Sequence, residues 1–382
     1  MLSVPTAKDR IVLFALKEYL HKRFKTRVNK KLPNSYITDI KKYIETYKKS
    51  EIYFIKADIK NFFPTVDHNI LRKLLLKGML PSYVNDLIMR AIKTETVPVD
   101  FRKDNKHIYV SDMGVPQGLS ISNILAEIYL STVDDAFASM NILYLRYVDD
   151  IFILMTTNRA KQYKNALIKR LSKLRVELNN DKSVQGTLDL LPTFLSYKIS
   201  KDRISVSETN VQNLIQKIAA KITWLKNCLK DSTKRPKWIK EKKRLFEVFL
   251  EELNEKITGA RSDIKNYGWL FYFIEINDIS LLFRLDKIIE RMLLDTKLVK
   301  SRPKKLKRLV RAYYEIKYND GGNYIQDYDL ISTIREKRLF LLKRGKIQPG
   351  KYYSDRVIQQ IFDLTRKKNL HELEKDIGYK YF

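Results

Sequence analysis

The sequence has little cysteine, little histidine and no long apolar run. Its 382 residues include one cysteine, Cys228, which excludes an internal disulfide framework and a cysteine-based zinc site. The four histidines lie far apart and show none of the short spacings of metal sites. No apolar stretch reaches the roughly 18 residues that span a bilayer, and the N-terminus lacks the apolar core of a signal peptide. We therefore expect a soluble, cytoplasmic protein without a membrane partner.

Acidic residues are scarce relative to basic ones. Lys and Arg number 74 against 44 Asp and Glu, which gives a formal net charge of +30. An excess of this size favours a polyanionic partner, of which nucleic acid is the first candidate. A lysine-rich composition can also follow from an AT-rich genome, so the charge needs support from motifs. With 44% hydrophobic residues, the chain can bury at least one sizeable core.

Hydrophobic periodicity changes along the chain and predicts an α+β protein. Residues 1–205 mix helix-period segments with short β-branched and aromatic runs, whereas nearly everything after them has helical periodicity. The pattern predicts strands at 52–58, 109–115, 142–148 and 151–155, and helices at 8–24, 35–48, 69–93 with a break near Pro81, 122–135 and 161–174.

Three aspartates stand at the ends of these predicted strands. Asp58 ends the run 52–58, and Asp149-Asp150 separates two apolar runs, as a two-residue hairpin turn does. Carboxylates at the ends of adjacent strands can hold two divalent cations for nucleotidyl transfer to a 3′ hydroxyl. Either position alone is commonly just a strand end or a turn. The segment 114–120, Gly-Val-Pro-Gln-Gly-Leu-Ser, lies between them, and its glycines permit close backbone approach to a ligand.

Together these segments resemble the reverse transcriptases, and among them the prokaryotic retron-like, abortive-infection and phage-defence lineages. Tyr147-Val148-Asp149-Asp150 is the most specific match. The resemblance covers roughly residues 1–200 and implies a right-hand polymerase, with fingers and a palm built on an antiparallel sheet. The other segments that match the family's pattern are Leu2 to Arg10, Asp58 to Phe63, Pro116 to Gly118, Asn179 to Lys182 and Phe194 to Tyr197.

The resemblance implies roles for individual residues. Asp58 and Asp149 would bind two Mg²⁺ ions, which Mn²⁺ could replace, with the Ile59 carbonyl as a further ligand and Asp150 in support. Phe63 would act as a steric gate that disfavours ribonucleotides. Lys182 would stabilise charge or donate a proton, although it could equally be one of many solvated lysines. Gln117, Gly118 and Lys56 would bind the nucleotide. A primer grip would be formed by Phe194, Leu195, Ser196 and Tyr197.

The chain begins close to the Val4-Pro5 of the fingers, upstream of which the family usually has a strand with a triphosphate-binding Arg or Lys. We therefore expect the fingers of the fingers and palm domain, residues 1–205, to be shortened at the N-terminus and to lack this strand. Lys8, Arg10 or Lys56 would then bind the triphosphate instead, or a second protein subunit would complete the fingers.

The region after residue 205 is expected to be all helical, with a thumb at 206–290 and a basic extension at 291–382. The stretch Asp263 to Phe273 resembles a thumb segment of defence-associated reverse transcriptases, although aromatics at helical spacing are more often core residues. Tyr379 and Tyr381 are candidates for priming DNA synthesis, but an ordinary surface or core tyrosine is the simpler interpretation.

The leading functional hypothesis is an RNA-directed DNA polymerase that uses deoxynucleoside triphosphates and makes a DNA product. Its setting would be bacterial anti-phage defence, with a structured non-coding RNA as template or scaffold. The alternative is template-independent or protein-primed DNA synthesis of the abortive-infection type. A third hypothesis is an inactive RNA-binding scaffold, which the combined presence of Asp58, Asp149, Asp150, Phe63 and Gln117 disfavours.

Overall fold

A computed structural model describes residues 5–29, 31–93, 112–319 and 321–375. Parts of two predicted segments, residues 2–4 and 109–111, lie outside these ranges, as do Tyr379 and Tyr381. The chain divides into two compact units, which are described separately. The first unit comprises Met1–Leu195 with Ile199–Lys201, and the second comprises Ser196–Lys198 with Asp202–Phe382.

The first unit contains a four-stranded antiparallel sheet. Its strands are β1 (Tyr53–Asp58), β2 (Leu143–Tyr147), β3 (Asp150–Met155) and β4 (Val184–Thr187). Their order across the sheet is β2-β3-β1-β4, which places β1 and β3 at the centre. The three strands predicted here at 52–58, 142–148 and 151–155 are confirmed as β1, β2 and β3.

Helices flank the sheet of the first unit. They are α1 (Ala7–Arg23), α2 (Pro33–Thr46), α3 (Phe62–Thr65), α4 (His68–Lys77), α5 (Ser82–Ile92), α6 (Ser122–Ala138) and α7 (Ala160–Lys173), with single 3₁₀ turns at Asn180–Lys182 and Leu188–Leu190. The break predicted near Pro81 is confirmed, because α4 ends before Pro81 and Pro81 is the N-cap of α5. Proline cannot donate to the preceding helical turn, so it starts a helix rather than continuing one.

The two faces of the sheet alternate along each strand. Ile55 and Ile153 point into the main core, where they join side chains of α1 and of α4 to α7. The residues immediately before them, Phe54 and Phe152, point to the opposite face and stack with ring centroids 6.1 Å apart. Asp58 shares this second face, because it lies an even number of residues from Phe54.

The N-terminal helix differs from its prediction in what it buries. In the helix predicted at 8–24, seven apolar residues recur at the spacing of an amphipathic helix: Ile11, Val12, Phe14, Ala15, Leu16, Tyr19 and Leu20. Of these, only Leu16 and Leu20 are buried, together with Leu13. Apolar residues occur all around α1, and packing covers one side of it. The remaining large ones are exposed: Ile11, Val12, Phe14 and Tyr19.

Three short strands occupy the passage from the first unit to the second. They are β5 (Thr193–Phe194), β6 (Tyr197–Ile199) and β7 (Ile204–Val206). The second unit is otherwise largely helical. Its helices are α8 (Glu208–Lys230), α9 (Lys242–Thr258), α10 (Trp269–Tyr272), α11 (Ile279–Leu294), α12 (Leu309–Tyr318), α13 (Ile334–Lys343) and α14 (Asp355–Lys375), with a 3₁₀ turn at Ser232–Lys234.

The prediction of an all-helical C-terminal region is wrong. A small sheet of order β10-β8-β9 is formed by β8 (Ala260–Ser262), β9 (Lys265–Tyr267) and β10 (Gln326–Asp327). Strands of two or three residues are too short to give a period-2 pattern, so the sequence does not reveal them. Gly268, with φ of 118°, ends this hairpin where a Cβ would lie 2.8 Å from the Gly259 Cα.

The core of the second unit contains the aromatic run that follows β9. Trp269 and Phe273 are buried and pack with ring centroids 4.9 Å apart, as expected for core residues. The same unit contains a buried ion pair, in which Arg344 Nη1 donates to Glu255 Oε2 at 2.5 Å. The other carboxylate oxygen of Glu255 accepts from the Tyr328 hydroxyl. No helix among the described residues is long and apolar enough to cross a membrane.

Candidate active site

The three predicted aspartates meet at one end of the central strands of the first unit. Asp58 ends β1 and lies directly opposite Asp150, the first residue of β3. Residues directly opposite in an antiparallel pair project from the same face of the sheet. Asp149 lies in the turn before β3, and its carbonyl accepts from the Ile59 N–H at 3.1 Å. This hydrogen bond ties the β2–β3 turn to the end of β1.

The hairpin turn begins one residue earlier than predicted. Tyr147 pairs with Asp150, so the turn residues are Val148 and Asp149, and Asp150 belongs to the strand. The first turn position of such a hairpin takes positive φ and is usually glycine. Here Val148 takes it, with φ of 56°, which is rare for a β-branched residue. Sequence analysis chose the two aspartates because Asp tolerates positive φ better than Val.

Negative charge is concentrated at this end of the sheet. Burial raises the pKa of Asp149, and the nearby Asp58 carboxylate raises it further. Burial also raises the pKa of Asp150 to about 6, against the opposing effect of the Lys56 charge. Lys182 is close as well, with Nζ 3.6 Å from Asp58 Oδ2, although its side chain is 65% exposed. The structure thus brings the predicted Lys56 and Lys182 to the carboxylates.

The chemistry of these side chains fits a hard divalent cation. Mg²⁺ binds through one or two carboxylates, with phosphate oxygens and water completing its shell. A cation beside Asp58 and Asp149 would relieve the repulsion that raises the pKa of Asp149. Within the described ranges, no group of three or more His, Cys, Asp or Glu side chains could by itself hold a metal ion. Metal ligation by Asp58, Asp149, Asp150 and the Ile59 carbonyl therefore stays a prediction.

The glycine-containing segment before α6 packs against the residues that follow β1. The Val115 N–H donates to the Phe63 carbonyl at 2.8 Å. Gly114 has φ of 93°, and a Cβ at this position would lie 3.1 Å from the Pro64 carbonyl oxygen, so only glycine fits without strain. At the far end, Ser122 Oγ donates to the Pro116 carbonyl at 2.6 Å. The segment is thus held at both ends.

The residues predicted to bind nucleotide occupy different environments. Gln117 is partly exposed and Gly118 is exposed. Phe63 is buried and packs beside Phe62, with ring centroids 5.6 Å apart. Lys56 Nζ donates to Thr193 Oγ1 at 3.3 Å. Their contacts with nucleotide stay predictions.

Most of the predicted primer-grip segment is buried. Phe194 stacks on Phe152 of the sheet in the first unit, with ring centroids 5.0 Å apart. Tyr197 belongs to the second unit, where its hydroxyl donates to the Tyr272 carbonyl. Leu195 and Ser196 both have positive φ, and Ser196 alone of the four is not buried. A direct primer contact therefore stays a prediction.

One residue of this region, Arg146, was not predicted from the sequence. Its side chain is 4% exposed, and it forms ion pairs with Glu127 and Asp134 of α6. The available signal was an arginine inside an otherwise apolar strand, immediately before the Tyr147-Val148-Asp149-Asp150 match. A buried arginine needs carboxylate partners, and spacing alone does not say where they are.

The sequence matches the reverse transcriptase (RNA-dependent DNA polymerase) family over residues 1–243, which is more than half of the chain. The chain belongs to the reverse transcriptase family. The enzymes of this family are nucleotidyltransferases, and reverse transcriptase domains generally use divalent metal ions. No curated protein matches the sequence of this reverse transcriptase.

The solved structures that match this chain include telomerases. Apo telomerase from Candida tropicalis is 13% identical, with a TM-score of 0.43 over 97% of this chain and 61% of that one. Telomerase from Candida albicans, in complex with a TWJ fragment of telomeric RNA, is 14% identical, with a TM-score of 0.43 over 98% of this chain and 57% of that one. The chain thus spans about three fifths of the length of these telomerases.

Proposed function

We propose that this reverse transcriptase synthesises DNA on an RNA template, extending a 3′ hydroxyl with deoxynucleoside triphosphates. The observation that carries the proposal is the pair Asp58 and Asp149 at the ends of adjacent strands, in a chain that matches an RNA-dependent DNA polymerase family. The net charge of +30 supports a nucleic-acid partner.

In this proposal Asp58 and Asp149 hold two Mg²⁺ or Mn²⁺ ions, with the Ile59 carbonyl as a further ligand and Asp150 in support. The bound ions supply activation of the attacking hydroxyl and charge neutralisation at the leaving pyrophosphate. Lys182 places a cation beside Asp58, where it stabilises charge on the pyrophosphate or donates a proton.

The other predicted residues select and position the substrates. Phe63 disfavours ribonucleotides by its ring. The nucleotide also contacts Gln117, Gly118 and Lys56, and the segment Phe194 to Tyr197 contacts the primer.

The test is primer extension by the purified chain with an annealed RNA template, Mg²⁺ and four deoxynucleotides, beside an Asp149→Asn control. A product that copies the template supports the proposal. Incubation with single deoxynucleotides, with and without prior treatment with ribonuclease, identifies the alternative. A product that still forms after the RNA has been removed excludes templated synthesis. Product that remains covalently bound to the denatured protein identifies protein priming. If Asp149→Asn leaves biological function intact, the chain is a scaffold.

We also propose a setting for this activity, cytoplasmic bacterial anti-phage defence of a prokaryotic lineage, with a structured non-coding RNA. The right-hand arrangement would have a thumb at 206–290 and a basic extension at 291–382. The motif resemblance supports these assignments. Sequencing the nucleic acids that co-purify with the protein tests them, and the absence of a defined RNA contradicts them. Full activity of the chain alone would exclude an essential second subunit that completes the fingers.

A further inference from the structure

Arg146 occupies a buried position between helix α6 and the β2–β3 turn. On the α6 side its guanidinium binds Asp134 through two parallel hydrogen bonds, Nε to Oδ1 at 2.8 Å and Nη2 to Oδ2 at 2.6 Å. Nη2 also donates to Glu127 Oε2 at 2.7 Å. On the turn side, Nη1 donates to the Val148 carbonyl at 2.9 Å. One rigid side chain thus joins three acceptors on two elements.

The bond to Val148 falls on the most unusual backbone position of the hairpin. Val148 has φ of 56°, a conformation that a β-branched residue adopts only when its surroundings impose it. Asp149 follows directly, so the conformation of Val148 sets the direction in which the Asp149 backbone and carboxylate leave the turn. A relaxed Val148 would move Asp149 away from Asp58.

The anchor of Arg146 is built to hold a fixed position. The planar guanidinium matches the Asp134 carboxylate at two points, which fixes its orientation as well as its distance. Asp134 belongs to α6, and α6 starts at Ser122, whose hydroxyl donates to the Pro116 carbonyl. The same helix therefore carries the anchor of the turn and one end of the segment that contains Gln117.

We propose that Arg146 is a positioning residue that holds Val148 in its left-handed conformation and so keeps Asp149 beside Asp58. The kinetic part of the test rests on the proposed polymerase activity. The structural part does not, because the Ile59 amide, which donates to the Asp149 carbonyl, reports the turn directly by hydrogen exchange.

The experiment is a double-mutant cycle between position 146 and position 148. Arg146→Lys keeps the charge but cannot reach three acceptors at once. We expect it to lower kcat by about tenfold to a hundredfold and to speed exchange of the Ile59 amide by about tenfold, with little change in the KM for nucleotide. Val148→Asn, or Val148→Gly, adopts positive φ without strain. Added to Arg146→Lys, either change should recover most of the lost kcat and of the exchange protection.

Arg27→Lys is the matched control. Arg27 also forms a bidentate pair with an aspartate of α6, Asp135, at 2.5 and 2.8 Å. No contact joins Arg27 to the turn among the interactions of the described residues. We expect its kcat and the Ile59 exchange rate to stay within about twofold of wild type.

Glu127→Gln is the milder variant if Arg146→Lys fails to fold. It removes one charged acceptor and leaves the two bonds to Asp134, so we expect a kcat loss of about threefold to tenfold that Val148→Asn recovers. Recovery in either background supports the proposal. Loss of kcat without faster exchange at Ile59, or loss that Val148→Asn and Val148→Gly both fail to recover, overturns it. If no polymerase activity is found at all, faster exchange in Arg146→Lys and its reversal still decide the question.

Discussion

A buried carboxylate of the second unit and a partly buried carboxylate of the first unit have opposite environments. In the second unit, both oxygens of Glu255 have a partner, one on Arg344 and one on Tyr328. At the end of the sheet in the first unit, Asp149 is beside another carboxylate, and burial together with Asp58 raises its pKa. Removal of one partner from a buried ion pair destabilises a fold, whereas like charges held close together disfavour each other's ionised form. Glu255 therefore has protein partners for its charge, and Asp149 is the carboxylate for which we propose a metal ion.

Arg146 shows that a buried charge with ion-pair partners can lie close to a group of neighbouring like charges. Burial by itself would lower the pKa of this guanidinium, but Asp134 and Glu127 more than offset that effect and raise it well above the ordinary value. Arg146 therefore stays charged and structurally paired one residue away from the strained turn that carries Asp149. In the proposal above, the ion pairs of Arg146 supply the rigidity that keeps Asp149 beside Asp58.

The largest effect is expected for Asp149→Asn, which removes one of the two neighbouring carboxylates. We expect nucleotide addition to fall by about a thousandfold or more, because a ligand of the proposed metal ions is lost. The thermal unfolding midpoint should not fall, because a repelling charge is removed. Extension assays and thermal unfolding of the same preparation measure both effects. A strong loss of stability would show that Asp149 is a structural residue.

The opposite result is expected for Glu255→Gln in the second unit. Removal of this charge leaves Arg344 buried without its counter-ion, so the free energy of unfolding should fall by about 3–5 kcal/mol. Urea unfolding measures the change. The control is Glu247→Gln, which affects the half-exposed pair with Arg244 at 3.2 Å, and its expected effect is less than about 1 kcal/mol. Equal effects of the two substitutions would contradict the structural role of Glu255.

Phe63→Val tests the predicted gate within the first unit. A smaller side chain should raise incorporation of ribonucleotides relative to deoxynucleotides by about tenfold. Competition between the two nucleotide types in primer extension measures the ratio. Phe62→Leu alters the neighbouring buried ring and should leave the ratio unchanged. A shift of the same size in both variants would indicate a general packing effect.

The smallest effect is expected for Lys182→Met. Its ammonium group lies 3.6 Å from Asp58 but on an exposed side chain, so we expect kcat to fall by about tenfold or less. Lys169→Met changes an exposed lysine of α7 and serves as the control for the general loss of positive charge. If both variants retain full activity, Lys182 is an ordinary solvated lysine.

Much of the first unit could be predicted from local sequence. Apolar runs of five or six residues, one followed by Asp58 and one preceded by Asp150, indicated β1 and β3. Pro81 indicated the break between α4 and α5. Both patterns reflect short-range geometry. The short strands β8 to β10 could not be predicted, since pairing across the chain and not periodicity creates them. The exposed apolar residues of α1 were also missed, because the pattern shows which residues are apolar but not how much of the helix is covered.

Residue types and spacing were enough to identify the three aspartates as candidates and to place them at or beside the ends of strands. The tertiary structure was needed to show that the turn consists of Val148 and Asp149, because strand register depends on pairing with β1 and β2. It also decided the partners of Arg146, which lie 12 and 19 residues earlier on α6. Contacts across such separations depend on how helix and sheet pack, and no local pattern records them.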